Sequence, residues 1–176
     1  MKNSIFKTVF FFMFLLGIGA CNSEESLPPV NPFIGEWQAA DDQFLILTVD
    51  GEEKTLAEFG VQILKTNPIS AETTAADYLR HTIMGPIDIY EPEILIAPQE
   101  LFSATVAGER VAGIWKLQNA GSVLHFNSLD LRENGYFYNV KRLSGNELDL
   151  EWSWEMSYIG ENSGVYDVHL VIKLKK

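Results

Sequence analysis

Glu147-Leu148-Asp149-Leu150-Glu151-Trp152-Ser153-Trp154-Glu155-Met156-Ser157-Tyr158 alternates apolar and polar residues from end to end. A period of two over that length indicates a strand with one buried face, carrying Leu148, Leu150, Trp152, Trp154, Met156 and Tyr158, and one wet face. Working outward, Ser144-Gly145-Asn146 is a turn signal that joins this strand to Gly135–Leu143. Asn119-Ala120-Gly121 separates Val111–Gln118 from Ser122–Asp130, and Ala107-Gly108-Glu109-Arg110 sets off Leu101–Val106. The last segment, Val165–Leu174, puts Tyr166, Val168, Leu170, Ile172 and Leu174 on one face. Successive short strands joined by tight turns form an antiparallel meander, and closing such a meander into a barrel removes its exposed edges. The fold class is therefore mainly β: an antiparallel up-and-down barrel of about eight strands.

The middle of the chain differs. Thr55-Leu56-Ala57-Glu58 matches a capping box, in which hydroxyl and carboxylate satisfy the orphan amides of a helix start. Leu56, Phe59 and Ile63 follow at helical spacing until Asn67-Pro68 stops the helix. A second helix is predicted from Ala71 to Met84, ended by Gly85-Pro86, with Ala75, Tyr78, Leu79, Thr82 and Ile83 as its apolar stripe. The expected order is one strand, a two-helix insertion over about 55–84, and then six or seven strands.

The chain has 176 residues, with 13 Lys+Arg, 24 Asp+Glu and one Cys. Lys2 and Lys7 lie in the leader, so the remainder has 11 basic and 24 acidic residues, a formal charge of −13. Phosphate-backbone affinity needs clustered Lys and Arg, so this balance argues against a nucleic-acid partner. One cysteine makes no internal disulfide, and no Cys/His spacing suggests zinc. About 140 globular residues suit one domain with a real core.

The start, Met1 to Lys7, is short and basic, and an apolar run from Thr8 to Ile18 follows. That run is too short for a bilayer span of roughly 20 residues and fits a secretory signal peptide over residues 1–20. Its junction, Ile18-Gly19-Ala20-Cys21, resembles the lipobox of bacterial lipoproteins. The resemblance implies cleavage before Cys21 and acylation of that residue, palmitate among the chains expected, to give a stable membrane anchor. Asn22-Ser23-Glu24-Glu25-Ser26 looks like the acidic stretch that sends Bacteroidota lipoproteins to the outer membrane, facing the cell exterior. Ser26 to Pro32, with Pro28, Pro29 and Pro32, is a semi-stiff spacer. Residues 21–33 thus form an acylated tether, and residues 34–176 the barrel domain.

Gly35-Glu36-Trp37 opens the first strand. A Gly-x-Trp there, followed by consecutive hairpins, resembles the lipocalin-like (calycin) domains of Bacteroidota lipoproteins. In that superfamily the Trp closes the barrel bottom and the open end holds a small apolar ligand. The helix pair is similar to the lid of intracellular fatty-acid-binding proteins. Where lipocalins stack an Arg from the last strand on the Trp, this chain offers Lys173, Lys175 and Lys176, and it contains no Arg-x-Tyr of the kind that grips a fatty-acid carboxylate.

His81, His125 and His169 are scattered and read as structural. Glu147, Asp149, Glu151 and Glu155 share the wet face of their strand, a solvated exterior that resists edge pairing. No Gly-x-Ser-x-Gly elbow and no phosphate-binding glycine loop occurs, so neither an enzyme nor a cofactor or metal site is expected. The aromatic residues are the remaining lead. Trp152, Trp154, Tyr158 and Tyr166 are predicted to point inward, and Trp115, Tyr136 and Tyr138 are further candidates. An eight-stranded interior is either filled or just wide enough for one small ligand. The expected function is binding of a small, largely apolar ligand at Trp115, Tyr136, Tyr138, Trp152, Trp154 and Tyr166. The alternative is a non-enzymatic interaction module that meets a surface protein or glycan through the barrel exterior or the helix pair.

Overall fold

Strand β10 (Gly164–Lys175) is long enough to pair along its whole length with β9 (Glu147–Tyr158) and still close the sheet with its other edge. That second edge meets β2 (Leu45–Val49) through Val168 to Ile172, and β1 (Gly35–Ala39) through Leu174 and Lys175. The break between β1 and β2 is spliced by Ala40 N–H donating to Lys173 O (3.0 Å) and Lys173 N–H donating to Phe44 O (2.7 Å). Together β1 and β2 act as one bent strand.

The computed structural model describes residues 31–128, 135–158 and 164–176, Tyr158 by its backbone alone. The leader, Cys21, the acidic run after it and the end of the expected Ser122–Asp130 strand lie outside the described residues. From the β1–β2 strand the sheet runs through β4 (Glu93–Ile96), β5 (Leu101–Val106), β6 (Glu109–Gln118), β7 (Val123–Asn127), β8 (Tyr136–Leu143), β9 and β10 back to its start. Every pairing is antiparallel, so the chain forms a closed eight-stranded barrel, with β3 (Glu52–Glu53) a short arm on β2. The two helices follow this bent first strand and its β3 arm, the place the sequence pattern assigns to the insertion. Two segments, β2 and β4, lie outside the strands marked out by the sequence: each is only one buried face of four or five residues, too short to set a period.

Helix α1 (Leu56–Gln62) starts at Thr55 with both halves of the capping box made: Glu58 N–H donates to Thr55 Oγ1 (3.2 Å) and Thr55 N–H to Glu58 Oε2 (2.8 Å). Helix α2 (Ala71–Leu79) runs into a wider π-helical turn, Arg80–Met84. That turn rotates the stripe. Ile83 and Met84 are both buried, whereas Thr82, expected on the apolar face, is exposed and bonds back to Tyr78 O. Phe59, Ala75, Ala76, Leu79, Ile83 and Met84 join the barrel residues in one continuous core.

The chain then stays buried from Ile83 to Ile89 before β4 begins. A buried connection is unusual because its backbone polar groups need partners. Strand β8 supplies them. Tyr138 Oη donates to Ile83 O (3.0 Å) and also contacts Met84 O, and Tyr136 Oη donates to His81 O (3.3 Å). These carbonyls end a helix and lack helical partners. Burial, with Tyr136 beside it, pushes the Tyr138 phenol well above its ordinary range and keeps it a donor. Gly85 makes the turn possible: its φ is +51°, and a Cβ there would lie 2.4 Å from the Tyr136 ring.

The opposite end is closed around Trp37, which is fully buried. Its Nε1–H donates to Phe33 O (2.7 Å), and Lys176 Nζ sits 4.5 Å from the ring centroid while donating to Pro32 O (2.7 Å). Lys176 therefore occupies the place that the lipocalin resemblance gives to an Arg. Gly35 lets it pass, since a Cβ at that residue would lie 2.7 Å from the lysine Cε.

Tyr138→Phe is expected to cost about 1–3 kcal/mol, because the buried Ile83 carbonyl loses its side-chain donor and Met84 O keeps only the Ile87 amide, while the ring stays packed; urea unfolding of the variant measures it. Lys176→Ala is expected to cost about 1 kcal/mol through the lost cation–π contact, with a change in the Trp37 fluorescence maximum that Lys173→Ala does not share.

Candidate functional site

The inner face of β9 begins deep in the core. Leu148 and Leu150 are fully buried, as are Leu170, Ile172 and Leu174 beside them on β10. Farther along, Trp152, Trp154 and Met156 on β9 and Tyr166 on β10 become half-buried while still packing on the core. Register accounts for their grouping: Trp152 is opposite Leu170, Trp154 opposite Val168, and Met156 opposite Tyr166. One end of the barrel is therefore solid, and a partly open aromatic wall lies toward the other. The indole Nε1 of Trp154 is buried and has no hydrogen-bond acceptor among the described residues. A buried donor left unpaired costs about 1–3 kcal/mol, so it marks a place where an acceptor is worth having.

The six expected ligand residues divide into three groups. Trp152, Trp154 and Tyr166 form the half-buried wall. Tyr138 is edge-on to Trp152 (6.2 Å between centroids), but its hydroxyl, like that of Tyr136, is committed to the buried helix connection. Trp115 packs against Phe33 (6.2 Å) and donates its Nε1–H to Ala97 O (2.9 Å). Trp115, Tyr136 and Tyr138 are buried core, and Trp115 packs on Phe33, whose carbonyl accepts from Trp37. Tyr158's side chain lies outside the described residues.

Polar chemistry gathers at the rim formed by the β5–β6 turn and the helix connection, where no local motif points to it. Asp88 is 8% exposed. Its Oδ1 accepts from the Tyr90 (2.9 Å) and Glu91 (3.1 Å) amides, and its Oδ2 from the Ala107 amide (2.8 Å). Burial alone would raise this carboxyl. The Ala107, Tyr90 and Glu91 amides and the Arg80 guanidinium together hold it below its usual value. An open groove of about 670 Å³ lies here, bordered by Arg80, Asp88, Tyr90, Glu91, Glu93 and Thr105. The signal for Asp88 was a single charge between Ile87 and Ile89, which local pattern alone does not distinguish from a surface turn.

The histidines do not converge. His81 is exposed on the π-helical turn, and His125 stacks on Phe137 on the barrel exterior (4.1 Å between centroids). His169 Nδ1 lies 2.8 Å from Ser153 Oγ on the outer face of the β9–β10 pair. That hydroxyl–imidazole contact is exposed, and among the described residues nothing binds the other ring nitrogen to orient it, as a nucleophile–base pair requires. The acidic face of β9 is tied into surface ion pairs, Glu151 with Lys141 (3.0 Å) and Glu147 with Arg142 (2.5 Å). Among the described residues no three His, Cys, Asp or Glu side chains gather in a way that could hold a metal ion, and no helix is long and apolar enough to cross a membrane.

Asp88 gives the fold an acid limit. Its folded pKa is lowered, so its stabilisation is complete above the ordinary carboxylate value of about 4 and is lost as pH falls through the lowered one. Asp88→Asn, whose amide sets an N–H against a backbone N–H, is expected to cost about 1–3 kcal/mol at pH 7. It should also flatten the fall in stability on acidification, as read by chemical unfolding from pH 7 to 3.

No protein-family model matches the chain, and no curated protein matches it. A solved structure similar to it is that of a DUF4847 family protein from Bacteroides vulgatus, 13% identical, with 77% of this chain and 90% of that chain covered at a TM-score of 0.33. Superposition that loose carries no argument about function, and the barrel rests on its own strand pairing.

Proposed function

We propose that the protein is a non-enzymatic binding lipoprotein, anchored through acylated Cys21 to the outer membrane and facing the cell exterior. Its barrel, calycin-like in strand order, takes a small, largely apolar ligand against Trp152, Trp154, Met156 and Tyr166. The observation that carries this reading is the emergence of the β9–β10 inner face from full burial into a half-open aromatic wall. The buried Trp154 indole N–H, without an acceptor among the described residues, supports it further, since a ligand that packs into this wall with a single acceptor would satisfy that donor. The lipobox and the acidic run support the anchor and its direction.

A second reading rests on the exterior. Leu101 is 51% exposed and pairs across the strands with Ile114, itself 40% exposed, while Phe137 is 38% exposed on the same sheet. Such outward apolar residues suit a protein or glycan partner.

Native mass spectrometry of residues 22–176, with lipid extraction of the same sample, is the first test. A stoichiometric small molecule released on denaturation is expected, and Trp154→Ala should reduce its occupancy at least several-fold. An empty barrel that also fails to take up added apolar probes would sink the interior reading and leave the exterior one. For the anchor, radiolabelled palmitate should enter the wild-type chain and not Cys21→Ser.

A further inference from the structure

A second groove, of about 520 Å³, opens where the π-helical turn meets the β5–β6 hairpin. Its lining is unlike the rest of this acidic chain: two arginines, Arg80 and Arg110, against the single carboxylate of Glu109, with the His81 ring beside them. Val106, Val111 and the Tyr136 ring supply apolar walls. Arg80 is the central group. Its side chain is 21% exposed, and its Nη1 lies 3.1 Å from Asp77 Oδ1. Asp88 contributes its field, but both of its oxygens are turned onto backbone amides. The buried Arg80 Nε–H is left without an acceptor among the described residues. Arg110, exposed on the facing hairpin, makes no ion pair with any described residue.

The part of the Arg80 guanidinium left exposed and Arg110, unpaired among the described residues, line one groove with apolar residues, a lining suited to a planar anion. The surrounding field narrows the class. A chain with 24 acidic and 13 basic residues repels highly charged anions, so a monoanion is favoured over a phosphate dianion. We propose that this rim groove binds the carboxylate of a small, partly apolar acid, with Arg80 and Arg110 as its anchors and Val106, Val111 and Tyr136 around its apolar part. The site is separate from the aromatic wall of β9 and β10 and does not depend on it.

Titration calorimetry of the full chain with 4-phenylbutyrate, its neutral amide and inorganic phosphate tests this. The acid is expected to bind at least ten-fold more tightly than the amide, to resist displacement by equimolar phosphate, and to weaken several-fold in high salt. Arg80→Gln should weaken it at least ten-fold and Arg110→Gln several-fold, with Trp154→Ala leaving it unchanged. Equal binding of acid and amide, displacement by phosphate, or no binding of the acid at millimolar concentration would overturn the proposal. Unchanged affinity in a folded Arg80→Gln chain would do the same. If Arg80→Gln does not fold, Arg110→Gln and the acid–amide comparison decide. Sensitivity of the acid to Trp154→Ala would place it in the barrel interior and so refute the rim site, whereas loss of an apolar ligand alone in that variant leaves the rim site standing.

Discussion

The structure depends on hydrogen bonding along a buried connection. Between helix α2 and strand β4 the chain crosses the end of the barrel with Ile83 to Ile89 out of solvent. Peptide groups there exchange water for protein partners, and each one left unpaired would cost about 1–3 kcal/mol. Tyr138 from β8 takes the Ile83 and Met84 carbonyls, and the Ile87 amide returns to Met84 O (2.9 Å). The buried Asp88 side chain is held by the Tyr90, Glu91 and Ala107 amides just outside the stretch. With those groups satisfied, Ile87, Ile89 and Met84 can serve as core, and the helices become part of the barrel's interior.

That arrangement explains why aromatic residues of similar type play different parts. Tyr136 and Tyr138 look, by alternation, like neighbours of Trp152 and Trp154 on a ligand-facing wall. Their hydroxyls are fixed by the helix end, whereas the Trp154 N–H has no such partner among the described residues. Burial by itself does not separate the two roles; the state of the polar tip does.

Much of the barrel was legible because its longest strands carry an uninterrupted period of two. Glu147–Tyr158 coincides with β9 as observed, and the Thr55–Glu58 capping box forms as its chemistry dictates. Strands β2 and β4 escaped because a handful of residues cannot establish a period, and the inward turn of Met84 escaped because a π-helical turn shifts the phase of everything after it. The rim was harder to see. Arg80, Asp88 and Arg110 come from a helix end, a loop and a hairpin, and only tertiary structure joins them. Lys176 was visible as one of three terminal lysines, but its seat over Trp37 depends on a partner 139 positions away in the chain.

The closing register has a kinetic consequence. Gln38 pairs with Lys175, so the last ladder to form joins residues from opposite ends of the domain. Hairpins such as β5–β6 and β9–β10 need only short loops and can assemble early. Closing the ring confines nearly the whole polypeptide in one loop, and topologies dominated by such distant pairings fold slowly. Until β10 reaches β1 and β2, both free edges of the meander are unpaired templates for other chains. The bent first strand therefore sets the time during which the protein is open to misassembly.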